Sequence, residues 1–145
     1  MRLIEEAYEW TATDMNRFSF RNITCYKDVV PEQVPSIYGE EYEAYVFDFG
    51  TDLNSNISEF LRCNIKIVVT GRAEWDLIKL KNFHEGIKHI SGSGSWIYLI
   101  RQADINTIKK LSHEMACKVM SIPAVADPVM PSRSANRFLG ILLGR

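Results

Sequence analysis

The chain has 145 residues, of which 46% are hydrophobic and 24% are charged, and its formal net charge is −1. This composition is typical of one globular domain with a real hydrophobic core, and it excludes disordered and fibrous proteins. The small net charge provides no general attraction to nucleic acid or anionic lipid. Every apolar run is far shorter than the roughly 20 residues of a membrane helix. The N-terminus is acidic where a signal peptide is apolar, so a cytoplasmic location is expected.

The first half of the chain contains alternating helix and strand patterns. Residues 2–18 are predicted to form a helix, and residues 22–26 a short strand. A segment over 30–38 has a proline where the first turn of a helix tolerates one. The next strand is predicted over 44–49, and a short helix over 54–61.

The second half shows clearer patterns. Residues 65–70 are rich in β-branched side chains, which is typical of a buried parallel strand. The remaining predicted elements are a helix over 74–90, a Ser-Gly loop over 91–95, a strand over 96–100, a helix from a cap at Asp104 to Met115, a strand over 118–122, a proline-rich loop over 123–131, and a final helix that Ser132 caps and Gly144 ends.

This alternation predicts an α/β fold with a three-layer, mostly parallel sheet and helices on both faces, because βαβ units have that architecture. No linker or internal repeat divides the chain, so a single domain over residues 1–145 is expected. The sheet core is expected at residues 46–47, 67–69 and 98–99.

Two further patterns argue against ligand chemistry. The Ser-Gly loop is interpreted as a connector, because a phosphate-binding loop follows a strand and opens a helix, whereas this loop leads from a helix into a strand. The cysteines Cys25, Cys63 and Cys117 are odd in number and widely spaced. They are interpreted as buried free thiols, and no metal site is predicted.

The best candidates for a ligand site lie where predicted strands end. Asp48 is placed at the carboxyl end of the strand over 44–49, and Gly50 allows a phosphate to approach the backbone closely. With Asp52, Arg72 and Arg101 these residues form a candidate ligand-binding rim, since guanidinium groups suit carboxylate or phosphate. A structural ion pair explains the same residues equally well. No catalytic residue is assigned, because the sequence contains no nucleophile–base set and no Gly-x-Ser-x-Gly.

Several short phrases, in the order of these elements, resemble one family. Residues 45–50 (YVFDFG) resemble its strand that ends in Asp-x-Gly, and residues 60–69 resemble its next short helix and strand. Residues 96–101 resemble its base-contacting strand, and residues 120–128 its isoleucine-proline loop. Over residues 22–145 the chain resembles the C-terminal part of a ParA/MinD-type P-loop ATPase of the deviant Walker A branch.

The resemblance also has clear departures. The first strand and the Walker A loop of the family have no counterpart, since the chain contains no Gly-Lys pair. Ile100 stands where the family has its base-contacting asparagine. The resemblance therefore implies an incomplete P-loop NTPase-like fold without ATP hydrolysis or a cofactor of its own. ATP and Mg²⁺ are expected only if a phosphate-binding loop is supplied elsewhere.

Two functions follow as expectations. The first is a non-catalytic ATPase-like interaction or positioning module, which acts as a homodimer or on a longer ATPase-like partner. The alternative is a small α/β ligand-binding domain or enzyme that uses an anion-recognising strand rim around Asp48.

Overall fold

The computed structural model describes residues 16–20, 23–125 and 132–144. The chain divides into two compact units, Met1–Asp48 and Phe49–Arg145. The described residues form helices, a three-stranded parallel sheet and a two-stranded antiparallel sheet, so the predicted α/β character is confirmed. The single domain over residues 1–145 stays a prediction.

The first unit contains the antiparallel pair. Strand β1 (Arg17–Phe20) pairs with β2 (Ile23–Tyr26), and the pairing runs from Arg17 opposite Tyr26 to Phe20 opposite Ile23. The predicted strand over 22–26 is therefore confirmed for Ile23–Tyr26, and residue 22 lies outside the described residues. The predicted helix over 2–18 is wrong at its end, because the aromatic residues Phe18 and Phe20 suit a ladder with β2, which contains Ile23 and Thr24, better than a helix. Residues 2–15 of that helix lie outside the described residues.

A short helix follows in the same unit. A 3₁₀ turn over Pro31–Gln33 leads into α1 (Val34–Tyr38). The Val30 amide donates to the Gln33 side-chain oxygen at 3.1 Å, which holds the start of the turn. The helix buries Val34 and Ile37. The proline noted in the sequence at this segment therefore lies in the turn that begins a short helix.

The predicted strand over 44–49 is wrong, since these residues have no regular secondary structure. Their exposure still alternates: Val46 is 96% exposed, whereas Tyr45 and Phe47 are half-buried. Both aromatic rings pack against Tyr38, with centroid distances of 5.0 Å and 5.6 Å. Local aromatic packing therefore satisfies these side chains without a ladder, and the core predicted at residues 46–47 is also wrong.

The second unit contains most of the regular structure. A 3₁₀ turn over Asn54–Asn56 precedes the first helix. In chain order the elements are α2 (Ile57–Arg62), β3 (Ile67–Thr70), α3 (Glu74–Ile87), β4 (Ile97–Arg101), α4 (Ile105–Met115), β5 (Lys118–Ile122) and α5 (Arg133–Leu143). Each overlaps a predicted element. The Ser-Gly loop connects α3 to β4 through a 3₁₀ turn over Ser93–Ser95, as predicted.

The three strands of this unit form a parallel sheet in the order β3-β4-β5. On one face, Tyr98 and Ile100 of β4 lie in a cluster with buried side chains of three helices: Phe60, Leu80, Ile87, Leu111 and Met115. On the other face, Ile97 and Leu99 cluster with Leu142 of α5. Alternate residues of β4 are thus buried on both faces, which confirms the core predicted at residues 98–99. The parallel pairing of residues 67–69 is confirmed as well, but the core predicted there is wrong at Val69, which is 60% exposed, and Ile67 and Val68 are only half-buried.

Local signals fix the ends of the last two helices, as predicted. The Asp104 carboxylate accepts from the amides of Asn106 and Thr107 at 2.9 Å and 3.0 Å, which caps α4. The Ser132 hydroxyl accepts from the Ala135 amide at 3.1 Å and caps α5. Gly144 has a φ of 70° and ends α5.

Candidate functional site

The structure brings two of the predicted rim residues to one edge of the sheet. Thr70 of β3 lies opposite Ile100 of β4 in the parallel ladder. Arg101 is the last residue of β4, and Arg72 comes two residues after the end of β3. Both side chains are exposed. The two guanidinium groups therefore leave the carboxyl edge of the sheet from neighbouring strands.

Asp52 has a local structural role. Its carboxylate accepts from the Asn54 amide at 3.1 Å and from the Ser55 hydroxyl at 2.5 Å. These contacts hold the turn before α2. The hydrogen bond from Ser55 lowers the pKa of Asp52 below its ordinary value.

Asp48 and Gly50 do not lie at a strand end. Asp48 is exposed and is the last residue of the first unit. Gly50 has a φ of 62°, a left-handed conformation that glycine adopts at little cost. The prediction that Asp48 terminates a strand is wrong, because the segment before it is not a strand. A ligand role for Asp48, Gly50, Asp52, Arg72 and Arg101 stays a prediction.

Carboxylates share the sheet edge with the two arginines. The first turn of α3 carries Glu74 and Asp76. A Cβ added at Gly71 lies only 2.1 Å from Asp76 Oδ2, so this carboxylate fills the space next to the Gly71 backbone. The Thr70 hydroxyl also approaches the Asp76 carbonyl at 3.5 Å. The edge is therefore of mixed charge, and an anion that approaches Gly71 meets a carboxylate.

The same edge contains a strained residue. Gln102 follows β4 directly and has a φ of 49°, which is uncommon for a residue other than glycine. Its amide donates to the Ile122 carbonyl of β5 at 3.1 Å, and this hydrogen bond holds the conformation. Asp104 begins the cap of α4 two residues later, and its hydrogen bonds from Thr107 lower its pKa. The polar groups of Gln102 and Asp104 therefore serve the backbone conformation after β4 and the cap of α4.

A buried polar pair lies in the core and was missed by the sequence analysis. His84 Nδ1 is 2.8 Å from the Tyr98 hydroxyl, and the two residues are 5% and 0% exposed. Burial, together with the nearby Cys117 thiol, raises the pKa of Tyr98. The sequence did contain one sign that His84 is buried, because it lies between Leu80 and Ile87 on the apolar stripe of α3. Being closed to solvent, the pair stabilises the core and does not form an open site.

The first unit contains a separate polar cluster around Glu40. Its carboxylate accepts from Arg17 Nη1 at 3.2 Å and from the Tyr42 hydroxyl at 2.5 Å. The Tyr26 hydroxyl lies 3.0 Å from the Tyr42 hydroxyl. The hydrogen bond from Tyr42 lowers the pKa of Glu40. These contacts tie β1 and β2 to the segment that follows α1.

An exposed apolar surface lies beside β3 in the second unit. Val69 of β3 is 60% exposed, and Ile65 just before the strand is 41% exposed. Leu139 and Leu143 of α5 are 47% and 46% exposed and lie one helical turn apart. Ile65 and Leu143 line the same open cleft of about 310 Å³, which places helix and strand side by side. We call these four residues the β3 flank.

Neither a metal site nor a membrane span is found in the described parts of the chain. No cluster of three or more His, Cys, Asp or Glu side chains is arranged to hold a metal ion within residues 16–20, 23–125 and 132–144. Over the same residues, no helix has both the length and the apolar character needed to cross a bilayer. The three cysteines are free, as predicted, but they are half-buried and not fully buried. Burial raises the pKa of each thiol.

Comparison of the chain with protein-family models, with curated proteins and with solved structures gives no match. The resemblance to ParA/MinD-type ATPases accordingly stays a prediction.

Proposed function

We propose that this chain is a non-catalytic interaction or positioning module with an incomplete ATPase-like α/β fold. The observation that carries the proposal is the β3 flank, where four aliphatic side chains are 41% to 60% exposed on one side of the sheet. Exposed apolar side chains that group on one side of a sheet are typical of interaction sites in soluble proteins. The proposed partner is a second copy of the chain or a longer ATPase-like chain, in the cytoplasm.

The ATPase-like part of the proposal concerns the architecture of the second unit. We propose three layers, with α3 and α4 on one face of the parallel sheet and α5 on the other. The separate clusters around Tyr98 and Leu99 support this arrangement, because each contains side chains from different helices. Open parallel sheets covered in this way include the P-loop NTPases.

The non-catalytic part of the proposal concerns the phosphate site. The chain contains no Gly-Lys pair, and the Asp76 carboxylate fills the space next to Gly71 after β3. Both features disfavour a nucleotide phosphate, since lysine and backbone amides normally neutralise it. Isothermal titration with ATP and Mg²⁺ should give no dissociation constant tighter than about 1 mM, which corresponds to a weak, nonspecific complex. A micromolar constant, or ATP turnover that is lost in Asp48→Ala, contradicts the proposal.

A second candidate function is an anion-binding domain. It is favoured by Arg72 and Arg101, which leave the same edge of the sheet from neighbouring strands. Titration with inorganic phosphate separates the two candidates. Saturable binding that is lost in both Arg72→Ala and Arg101→Ala favours the anion site, whereas no saturable binding favours the interaction module. Lys88→Ala is a matched control, because this exposed lysine lies near the far end of α3 and pairs only locally with Glu85 at 2.7 Å.

A further inference from the structure

Strand β3 has a ladder partner on one side only among the described residues. The sheet order is β3-β4-β5, so β3 and β5 are its two edges. An edge strand presents unpaired amides and carbonyls, and proteins protect such edges with charged residues, prolines or bulges. The β5 edge has such protection, because it begins with the exposed Lys118 and is followed by Pro123.

The β3 strand itself carries less of this protection, although Lys66 and Arg72 flank it. Its four residues, Ile67–Thr70, contain neither a charge nor a proline. Val69 is 60% exposed and lies on the same face as Ile67, which packs against the Leu99 and Leu142 cluster. An uncharged, β-branched edge is suited to pairing with another strand.

The sequence of this edge distinguishes two registers in which β3 pairs with itself near its centre. A two-fold axis between antiparallel strands requires one residue to face its own copy. An axis at Val69 places Lys66 opposite Arg72 of the second copy, and like charges in opposite positions destabilise a ladder. An axis at Val68 instead places Lys66 opposite Thr70 of the second copy. It also places Ile67 opposite Val69, a pair of β-branched side chains.

We propose that β3 pairs antiparallel with β3 of a second copy about a two-fold axis at Val68, which joins two three-stranded sheets into one of six strands. The inference rests on the proposed function of the chain as an interaction module and names its partner and surface. The pairing covers Val69 and brings the β3 flanks of both copies to one face of the joined sheet.

The size of the β3 flank determines how strong the proposed dimer is expected to be. Its four half-exposed side chains offer roughly a few hundred Å² per copy, which is within the size of the largest apolar patch on an ordinary monomer, about 300–600 Å². A standard stable interface buries about 800 Å² per partner. The dimer is therefore expected to be weak and to dissociate on dilution.

The net charge of the second unit determines the salt concentration at which self-association should be measured. The second unit carries 13 Lys and Arg against 8 Asp and Glu, a net charge of +5, whereas the whole chain carries −1. Two second units therefore repel each other locally. Measurement near 0.15 M salt reduces this repulsion, because the screening length is then about 8 Å.

Sedimentation velocity of the full chain tests the inference with two lysine variants. Val69→Lys places a charge on the edge, and we expect it to raise the dimer dissociation constant at least tenfold. Ile78→Lys is the matched control, because Ile78 is 53% exposed on α3, which packs on the opposite face from α5. It should leave the constant unchanged. The circular dichroism spectra of both variants should match the native chain.

A cross-link tests the register directly. Val68→Cys is made in a chain whose own cysteines, Cys25, Cys63 and Cys117, are changed to serine. Opposite Cα atoms in an antiparallel ladder are about 4.5–5.5 Å apart, within the range that a disulfide spans. Mild oxidation should give a covalent dimer. Ile78→Cys in the same background should not.

The outcomes separate this inference from the proposed function. Self-association that is unchanged in Val69→Lys, with no cross-link at residue 68, overturns the β3 pairing but leaves the interaction module in place. A chain that is monomeric at every concentration overturns the β3 pairing, and it overturns the interaction module as well if a pull-down with the chain recovers no ATPase-like partner. Self-association weakened by Val69→Lys but not by Ile78→Lys, together with the cross-link, supports both.

Discussion

Removal of the Tyr98 hydroxyl should destabilise the protein more than the small size of a hydroxyl group suggests. Tyr98→Phe leaves His84 Nδ1 without its 2.8 Å partner at a position that is only 5% exposed. A buried polar group that loses its partner costs about 1–3 kcal/mol. For a domain of this size, each kcal/mol lowers Tm by about 3 °C, so we expect a fall of about 3–10 °C.

The double variant makes the reasoning specific. Replacing both partners with apolar groups is often nearly neutral, because neither polar group is then left unsatisfied. Tyr98→Phe combined with His84→Leu should therefore be less destabilised than the sum of the two single variants, by about 1–3 kcal/mol. Urea denaturation followed by circular dichroism measures all four proteins.

An exposed tyrosine serves as the control for this cycle. Tyr38 is 45% exposed, and Tyr38→Phe should change the free energy of unfolding by less than about 0.5 kcal/mol. If Tyr98→Phe is equally mild, or if the two core substitutions are strictly additive, the hydrogen bond does not stabilise the core as we infer.

Three other substitutions test local geometry. Gly71→Ala should cost about 1 kcal/mol, because the added Cβ lies 2.1 Å from Asp76 Oδ2 and the Asp76 side chain must turn away from its present rotamer; Asp76→Ala in the same chain should relieve much of this loss, and an equal loss in both backgrounds refutes the clash. Ala116→Gly should raise stability by about 1 kcal/mol, because Ala116 ends α4 with a φ of 49°, and a lower Tm contradicts this. Asp104→Asn tests pH dependence. Hydrogen bonds from Thr107 lower the pKa of Asp104 in the folded state, so the ionised cap stabilises the fold above the unfolded pKa of about 3.9, and this stability is lost as pH falls through the folded pKa. The asparagine variant still caps the helix and should show a flatter stability profile below about pH 4; a profile identical to that of the native chain contradicts the assignment.

Much of the second unit was predictable because its signals are local. The β-branched run at Ile67–Thr70 favours a strand at its own position, and the caps at Asp104 and Ser132 fix helix ends within a few residues. The rim arginines were placed correctly at strand ends for the same reason. Arg72 and Arg101 follow strands whose pattern is unambiguous, and parallel pairing then fixes their shared edge.

The errors occur where packing between side chains of different segments, and not the pattern within one segment, decides the structure. The segment before Asp48 has the composition of a strand, but its aromatic side chains pack against Tyr38 instead. Asp48 was assigned to a strand end on that pattern, so its position was wrong as well. The pairing of His84 with Tyr98 was hidden for a related reason, since periodicity gives the buried face of a helix but not the polar group opposite it.

The measurement that tests the central claim most directly is the mass of the native chain in solution as a function of concentration. The chain has a mass of 16.7 kDa. Static light scattering near 0.15 M salt should give a weight-average mass that rises above this value with concentration and returns to it on tenfold dilution. A mass of 16.7 kDa at every concentration contradicts the claim that the β3 flank associates with a second copy of the chain.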